Sequence, residues 1–344
     1  AVAKYGDDEA VAKYGEPAYW EDLSGGLLTC CCRATNNDNE DIDDDEVVTS
    51  IPLLPSKLLN EITSRGYFVL PPSPCRNNSK EQHSSTALSS TLDALANAGW
   101  PPQFLLMYNE TWELLKGAVQ AIVGDDECDN FYIESDVNIW SLKRNNPPGK
   151  YYIGGNFIKP HRDMVYNACH DENDQPTSLS VWIPLNPSGA TNHNGCMRII
   201  PMEEDDFFYS PQHPNHSMNS KYAEEDAEKL VCAQFGSCVW DPTCVHWGGG
   251  FEADESEEQE PRSSLAFTIR LGGKAADFGT TCTTSSSSLK QQQQTGPEAC
   301  LVKNCDKGDS KRRLQMVAKS LLSYSHHWPG FPFEGFRENM GLSR

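Results

Sequence analysis

Short β-rich runs between residues 131 and 271 constrain the fold of this 344-residue chain more than any other feature. Turns rich in Pro, Gly and Asn separate each run from the next. The runs are 131–133, 137–142, 151–153, 179–185, 197–200, 238–240 and 264–271. Strands of this length and spacing are typical of antiparallel folds built from two sheets. We therefore predict a mainly β protein with flanking helices and a double-stranded β-helix core, a cupin-like jelly roll.

The segments around these runs carry helical signals. Apolar residues recur at helical spacing in 84–98 and 103–123, which predicts two helices over one side of the sheet. An earlier helix that includes 58–65 ends at Gly66, because glycine readily adopts the left-handed conformation found after helix ends. An inserted helix is expected at 221–231, and an amphipathic helix at 309–324.

His161-Arg162-Asp163 is the first candidate for chemistry. In an extended strand, side chains two residues apart point to the same face, so His161 and Asp163 can reach one metal ion while Arg162 points away. His246 is placed in the sequence to supply a third ligand. Two imidazoles and one carboxylate form the facial triad that holds non-haem Fe(II) and leaves coordination positions open. The alternative for an isolated His-x-Asp is a structural hydrogen-bonded pair.

Arg262 opens the apolar run 262–270, in which strand alternation places Arg262 and Ser264 on one face. A planar guanidinium beside a hydroxyl suits the capture of a carboxylate. Beside an open iron site, such a pair predicts 2-oxoglutarate as the co-substrate. Arg270 shares this face and is the alternative clamp, that is, the alternative residue to bind the co-substrate carboxylate. We rank it second because eight residues of strand, at about 3.3 Å each, carry it away from the iron.

The order of these segments resembles the phytanoyl-CoA dioxygenase family of Fe(II)/2-oxoglutarate oxygenases. The resemblance covers roughly residues 52–272 and lies more in the order of the motifs than in any one of them. The matching motifs are Gly66-Tyr67 between a helix and a strand, His161-x-Asp163, Val181-Trp182-Ile183-x-Leu185, Asn194-Gly195-x-x-Arg198-x-x-Pro201, His246 and Arg262.

The resemblance implies a role for each matched residue. It makes His161, Asp163 and His246 the iron ligands and catalytic residues, with Fe(II), 2-oxoglutarate and O2 as cofactor and co-substrates. It makes Arg262 the partner of the distal 2-oxoglutarate carboxylate and Trp182 a wall of that pocket. The implied reaction is hydroxylation or desaturation of an unactivated C–H bond in a small-molecule or lipid-like substrate. A carboxylate ligand occupies the position that a halide would need, so halogenation is disfavoured.

Two other classes of function stay open. A jelly roll of this family could bind a ligand without catalysis, although such a protein need not keep all four site residues. A cupin enzyme with another metal and no 2-oxoglutarate would not need Arg262. The chain also departs from the family pattern after Pro201 and in a long acidic segment at 252–260. We expect this segment to project near the mouth of the barrel, where it would affect which substrate is accepted.

Composition limits the partners. The formal net charge of −21 argues against nucleic-acid binding and docking on anionic membranes. No apolar run is long enough to span a bilayer. The thirteen cysteines lack the paired spacing of a structural zinc site, so we read them as free thiols in a reducing intracellular compartment. That compartment is the cytoplasm, or an organelle after removal of a targeting peptide. The sequence leaves the oligomeric state open.

Four regions are predicted along the chain. Residues 1–50 form an N-terminal arm and acidic linker that is partly disordered, and the folded part starts near Ile51. Residues 51–272 form the dioxygenase domain, with helices to about residue 125 and the jelly roll after it. Residues 273–300 form a low-complexity loop, and 301–344 a C-terminal helix and aromatic tail that pack on the domain.

Overall fold

The computed structural model describes residues 16–30, 54–72, 79–124, 132–134, 137–142, 159–192, 195–217, 221–249, 262–271, 300–301 and 310–323. The β-run predicted at 151–153, the acidic segment 252–260, residues 273–299 of the low-complexity loop and the C-terminal tail lie outside these ranges.

Two antiparallel sheets form the core of the described structure, which confirms the predicted jelly roll. The large sheet has the order β1-β7-β4-β9-β2-β10, with β3 also paired to β9, and the small sheet has the order β6-β5-β8. The strands are β1 Tyr67–Leu70, β2 Tyr132–Ile133, β3 Asn138–Leu142, β4 Ser178–Pro184, β5 Met197–Ile199, β6 Glu228–Leu230, β7 Ser237–Trp240, β8 His246–Gly248, β9 Arg262–Arg270 and β10 Cys300–Leu301.

Helices cover the outer face of the large sheet. They are α1 Pro17–Leu23, α2 Ser56–Arg65, α3 Ser79–Ala98, α4 Asn109–Val123 and, after the short helix α5 Tyr166–Cys169, which lies instead near the small sheet, α6 Ser310–Ser323. Alternation along β4 separates two apolar clusters. Leu179, Val181 and Ile183 pack in the cluster formed with the helices, whereas Trp182 packs in the cluster between the sheets. Even-numbered residues of β4 therefore face the space between the sheets.

Two helix predictions need correction. The segment 103–123 is not one helix, because a 3-10 helix at Pro102–Met107 ends at the extended Tyr108 before α4 begins. The break follows from a backbone pairing of this segment with residues 29–30, in which the Asn109 N–H donates to the Thr29 carbonyl at 2.9 Å. The helix expected at 221–231 is also wrong. A 3-10 turn at Glu224–Asp226 leads there into β6, whose pairing with β5 overrides helical spacing.

The folded part starts earlier than predicted. Trp20 of α1 is fully buried, and its ring stacks on Phe104 with the ring centroids 5.0 Å apart. The Tyr108 hydroxyl donates to the Trp20 carbonyl at 2.8 Å. Residues 16–30 therefore belong to the helical layer rather than to a solvated arm.

Gly66 ends α2 with φ +84°, as its sequence position predicts. The cysteines whose side chains the structure describes, at positions 30, 169, 196, 232, 238 and 244, are buried free thiols. Among the described residues, no helix combines the length and apolar character needed to cross a membrane.

We predict that Gly66→Ala lowers the free energy of unfolding by about 2–4 kcal/mol. An alanine there would adopt a left-handed conformation, and its Cβ would clash with the Cys244 Sγ and lie 3.2 Å from the Met202 Cβ. Urea unfolding measures the loss. Gly25→Ala is the matched control, because Gly25 also has positive φ but open space around its Cα, and should cost about 1 kcal/mol. Equal losses in the two variants would contradict the close packing of Gly66 on the loop before His246.

Candidate metal centre

Backbone pairing joins the two segments that carry the candidate ligands. The His161 N–H donates to the His246 carbonyl at 3.0 Å, and the His246 N–H donates to the His161 carbonyl at 2.9 Å. Two residues on, the Asp163 N–H donates to the Pro242 carbonyl at 2.9 Å. His161 lies in an isolated bridge and Asp163 in the bend after it, rather than in one continuous strand as the sequence suggested. The bend nevertheless turns Asp163 toward both imidazoles.

The three side chains converge on one point. The Asp163 Oδ1 lies 3.4 Å from the His246 Nε2 and 3.9 Å from the His161 Nε2. The two imidazole centroids are 4.4 Å apart. The three potential ligand atoms all lie within 4.8 Å of one another. Two nitrogens and one oxygen at this spacing are a donor set suited to a transition-metal ion.

Hydrogen bonds fix the tautomers of both imidazoles. The His161 Nδ1 donates to the Lys159 carbonyl at 2.9 Å, and the His246 Nδ1 donates to the Cys244 carbonyl at 3.0 Å. A carbonyl oxygen can only accept, so each Nδ1 carries a proton and, in the neutral ring, each Nε2 presents a lone pair. Metal-binding histidines are oriented by this kind of outer hydrogen bond. The residues present therefore fit a metal ion.

Asp163 is held by its second oxygen. The Oδ2 accepts from the Ser180 hydroxyl at 2.6 Å and from the Trp240 Nε1 at 3.3 Å, which leaves the Oδ1 for the imidazole side. Burial alone would raise the pKa of Asp163, but the two imidazoles and Ser180 hold it well below its usual range. The carboxylate is therefore ionised and available as a ligand.

The two imidazoles differ in their electrostatics. Burial and the neighbouring His246 lower the pKa of His161, which favours its neutral form. Burial would also lower the pKa of His246, but the Asp163 carboxylate raises it above its ordinary value. Without a metal ion, His246 and Asp163 thus compensate each other's charge.

A cavity of about 300 Å³ opens beside the three side chains. Both sheets contribute to its walls, which combine aromatic and apolar side chains with polar and charged ones. Trp182, predicted as a pocket wall, lies among them. The lining residues are Glu134, Asn138, Trp140, His161, Arg162, Asp163, Met164, Ser180, Val181, Trp182, Met197, Trp240, His246, Gly248, Ala266, Phe267 and Thr268.

Arg262 and Ser264 are buried at the start of β9 and are not among the lining residues. The Arg262 guanidinium donates to the carbonyls of Gly195 and Gly249, the latter at 2.7 Å. Burial lowers the pKa of Arg262 to about 10. In the described part of the chain no carboxylate pairs with it. A buried cation without a counter-ion is costly, so this position suits an anionic ligand.

Arg270, the alternative clamp, differs from Arg262 in having a carboxylate partner. It forms an ion pair with Glu134, whose side chain is mostly buried and lines the cavity. Burial raises the pKa of Glu134, while Arg270 lowers it. The charge of Arg270 is thus already compensated by the protein.

Arg162 ties the site to the surrounding loops. Its Nη1 donates to the Asp205 Oδ2 at 2.6 Å and to the Thr243 carbonyl at 2.5 Å. The guanidinium thus extends to the loop before His246, and both charged groups of the Arg162–Asp205 pair are almost fully buried.

Three residues of the site were missed from the sequence. Ser180 and Trp240 hold Asp163, and Glu134 forms part of the cavity wall. Ser180 could have been found, because it lies two residues before Trp182 and shares its face of β4. The contribution of Trp240 depends on how β7 pairs with β4, which the sequence does not reveal.

The solved structures to which this chain is similar are distant in sequence. The epimerase SnoN, in complex with Fe3+, alpha ketoglutarate and nogalamycin RO, is 14% identical, with 70% of this chain and 97% of that chain covered and a TM-score of 0.37. EvdO2 from Micromonospora carbonacea var. aurantiaca is 16% identical over 65% of this chain and 94% of that chain, with a TM-score of 0.35. The Ni complex of the non-heme monooxygenase ThoJ is 15% identical over 82% and 99%, with a TM-score of 0.40.

Among curated proteins, none matches this chain significantly. The family model described as phytanoyl-CoA dioxygenase (PhyH) matches residues 85–255, a range that includes His161, Asp163 and His246. Arg262 lies just beyond the match. Through residues 85–255 the chain therefore belongs to the phytanoyl-CoA dioxygenase family, whose members use Fe(II), 2-oxoglutarate and O2.

Proposed function

We propose that this chain is an Fe(II)/2-oxoglutarate-dependent dioxygenase that hydroxylates an unactivated C–H bond of a small molecule. The observation that carries the proposal is the convergence of two imidazole nitrogens and one carboxylate oxygen beside a cavity. In this proposal His161, Asp163 and His246 hold the iron. When bound, iron and 2-oxoglutarate supply the oxidising chemistry, with O2 consumed and succinate and CO2 released.

The protein residues position the metal and exclude water. The hydrogen bonds that the two Nδ1 atoms donate to the Lys159 and Cys244 carbonyls aim both Nε2 atoms at one point. Trp182 and Met197 give the cavity apolar walls on its two sheets. Such walls exclude water from the reacting centre and so prevent side reactions.

We assign the distal carboxylate of 2-oxoglutarate to Arg262, with Ser264 and Trp182 as further members of the co-substrate pocket. The support is the buried guanidinium of Arg262, which has backbone carbonyls but no described carboxylate as partners. Arg270 is a weaker candidate because Glu134 already neutralises it. Binding through Arg262 would require its side chain to turn toward the cavity from its present contacts.

The activity itself is tested by succinate formation from 2-oxoglutarate. We expect succinate only when Fe(II) and O2 are both present, and faster formation when a substrate from a metabolite extract is added. A cupin enzyme that does not use 2-oxoglutarate would give no succinate under any condition. A non-catalytic binding protein would also give none, while still retaining its ligand.

For the iron site, we predict that His161→Ala and His246→Ala each abolish stoichiometric Fe(II) binding. The reason is that the two ligands left in each variant are too few to retain the ion. Anaerobic loading, desalting and iron analysis give the stoichiometry. The control is His213→Ala, an exposed histidine outside the site, which should bind iron like the wild type. Wild-type iron content in His246→Ala would place the third ligand elsewhere.

For the co-substrate, we predict that Arg262→Ala weakens 2-oxoglutarate binding by roughly a hundredfold, because a charged hydrogen-bonded contact in a buried pocket is lost. Iron content should not change. A titration of 2-oxoglutarate against the iron-loaded protein measures the effect. Arg270→Ala is the matched control on the same strand and should weaken binding much less. The reverse order would make Arg270 the clamp.

A further inference from the structure

A second buried cluster lies behind the metal centre. It consists of Cys169 at the end of α5, the neighbouring His170, and Asp241 at the end of β7. The His170 Nε2 lies 2.8 Å from the Asp241 Oδ2, and both side chains are at most 5% exposed. The cluster joins the segment after Asp163 to the turn before His246, outside the cavity lining.

The His170 ring is fixed on every side. Its Nδ1 donates to the Tyr166 carbonyl at 3.0 Å, and the Tyr166 ring stacks on it with centroids 3.9 Å apart and planes 9° from parallel. Desolvation would lower the pKa of His170, but hydrogen bonds to Asp241 and Cys169 raise it to about 10. The imidazolium and the carboxylate therefore form a buried ion pair.

Asp241 organises the turn that carries His246. Its Oδ1 accepts from the Thr243 N–H at 2.8 Å, and its carbonyl accepts from the Cys244 N–H at 2.8 Å. The Asp241 N–H in turn donates to the Gly66 carbonyl at 2.8 Å. The Thr243 hydroxyl lies 3.1 Å from the Cys169 Sγ, which adds a second contact between the turn and α5. Three residues after Thr243, the chain reaches the paired His246.

We propose that His170 and Asp241 are positioning residues, which lock the Asp163 segment to the His246 segment and so set the geometry of the metal ligands before metal binds. This inference rests on the proposed function for its consequence, iron affinity. The preformed geometry itself is a property of the metal-free protein. Removing one partner leaves the other as an uncompensated buried charge, so the two segments should then separate.

The pair acts as one unit in this proposal. His170→Gln and Asp241→Asn should therefore each weaken Fe(II) binding by about tenfold, which is the lower end of the effect known for outer residues of metal sites. The double variant should bind Fe(II) at least as tightly as the single variant with the lower affinity, because the double variant leaves no unpaired charge. Additive losses in this cycle would overturn the claim that the pair acts as a unit.

Hydrogen–deuterium exchange of the metal-free protein tests the positioning without any activity. We expect the amides of His161, Asp163 and His246, which bridge the two segments, to exchange at least tenfold faster in His170→Gln than in the wild type. Asp241→Glu, which keeps the charge but displaces it by one methylene, is the milder second variant and should show a smaller increase.

Arg313→Met is the matched control for general destabilisation. The Arg313 guanidinium donates to the Met107 carbonyl and the Asn109 Oδ1, far from the metal centre in the helical layer. This variant should lower the Tm but leave the three amides and the Fe(II) affinity unchanged.

The outcomes separate the two proposals. Wild-type exchange at all three amides in His170→Gln and Asp241→Glu, with only the Tm lowered, would show that the pair stabilises the fold alone. Faster exchange in these variants, together with a wild-type protein that forms no succinate, would support the positioning while contradicting the proposed function.

Discussion

The reciprocal backbone hydrogen bonds between His161 and His246 are the constraint on which the rest of the site depends. These residues are 85 positions apart in the sequence, so local structure alone cannot bring them together. Pairing places their side chains on the same side of the bridge, with imidazole centroids 4.4 Å apart. Every other contact of the centre adjusts this arrangement: Ser180 and Trp240 orient the carboxylate, and two carbonyls orient the rings.

The electrostatics of the site follow from this convergence. An ionised carboxylate beside two imidazoles is stabilised when one imidazole is protonated, and a divalent cation can take the place of that proton. Arg262, at the start of β9, carries the opposite charge. It is a buried cation without a described counter-ion, and its position therefore suits an anionic ligand. In the proposed site, the two imidazoles and Asp163 would hold a cation, and Arg262 would hold an anion.

Much of this architecture could be predicted from the sequence. Six of the seven predicted strand runs match observed strands, because their β-branched and aromatic content agrees with their pairing. The helix ending at Gly66 follows from one glycine with positive φ. His161, Asp163 and His246 were selected by residue type and order, and Trp182 by resemblance to the family.

The remainder depends on tertiary contacts that leave little trace in the sequence. The segment 103–123 has helical spacing throughout, yet its pairing with residues 29–30 breaks it at Tyr108. The segment 221–231 reads as a helix but is drawn into the small sheet by Met197–Ile199. The His170–Asp241 pair joins residues 71 positions apart, and neither residue lies in a motif. The burial of Trp20 likewise needs the groove formed by Trp100 and Phe104.

The central claim is that His161, Asp163 and His246 bind one iron ion. Anomalous diffraction at the iron edge, from crystals grown anaerobically with Fe(II) and 2-oxoglutarate, tests it most directly. The account predicts a single iron peak at coordination distance from the Nε2 atoms of His161 and His246 and the Oδ1 of Asp163, with the co-substrate carboxylate extending toward Arg262. An iron peak at Cys169, His170 and Asp241, or no peak in the barrel, would contradict it.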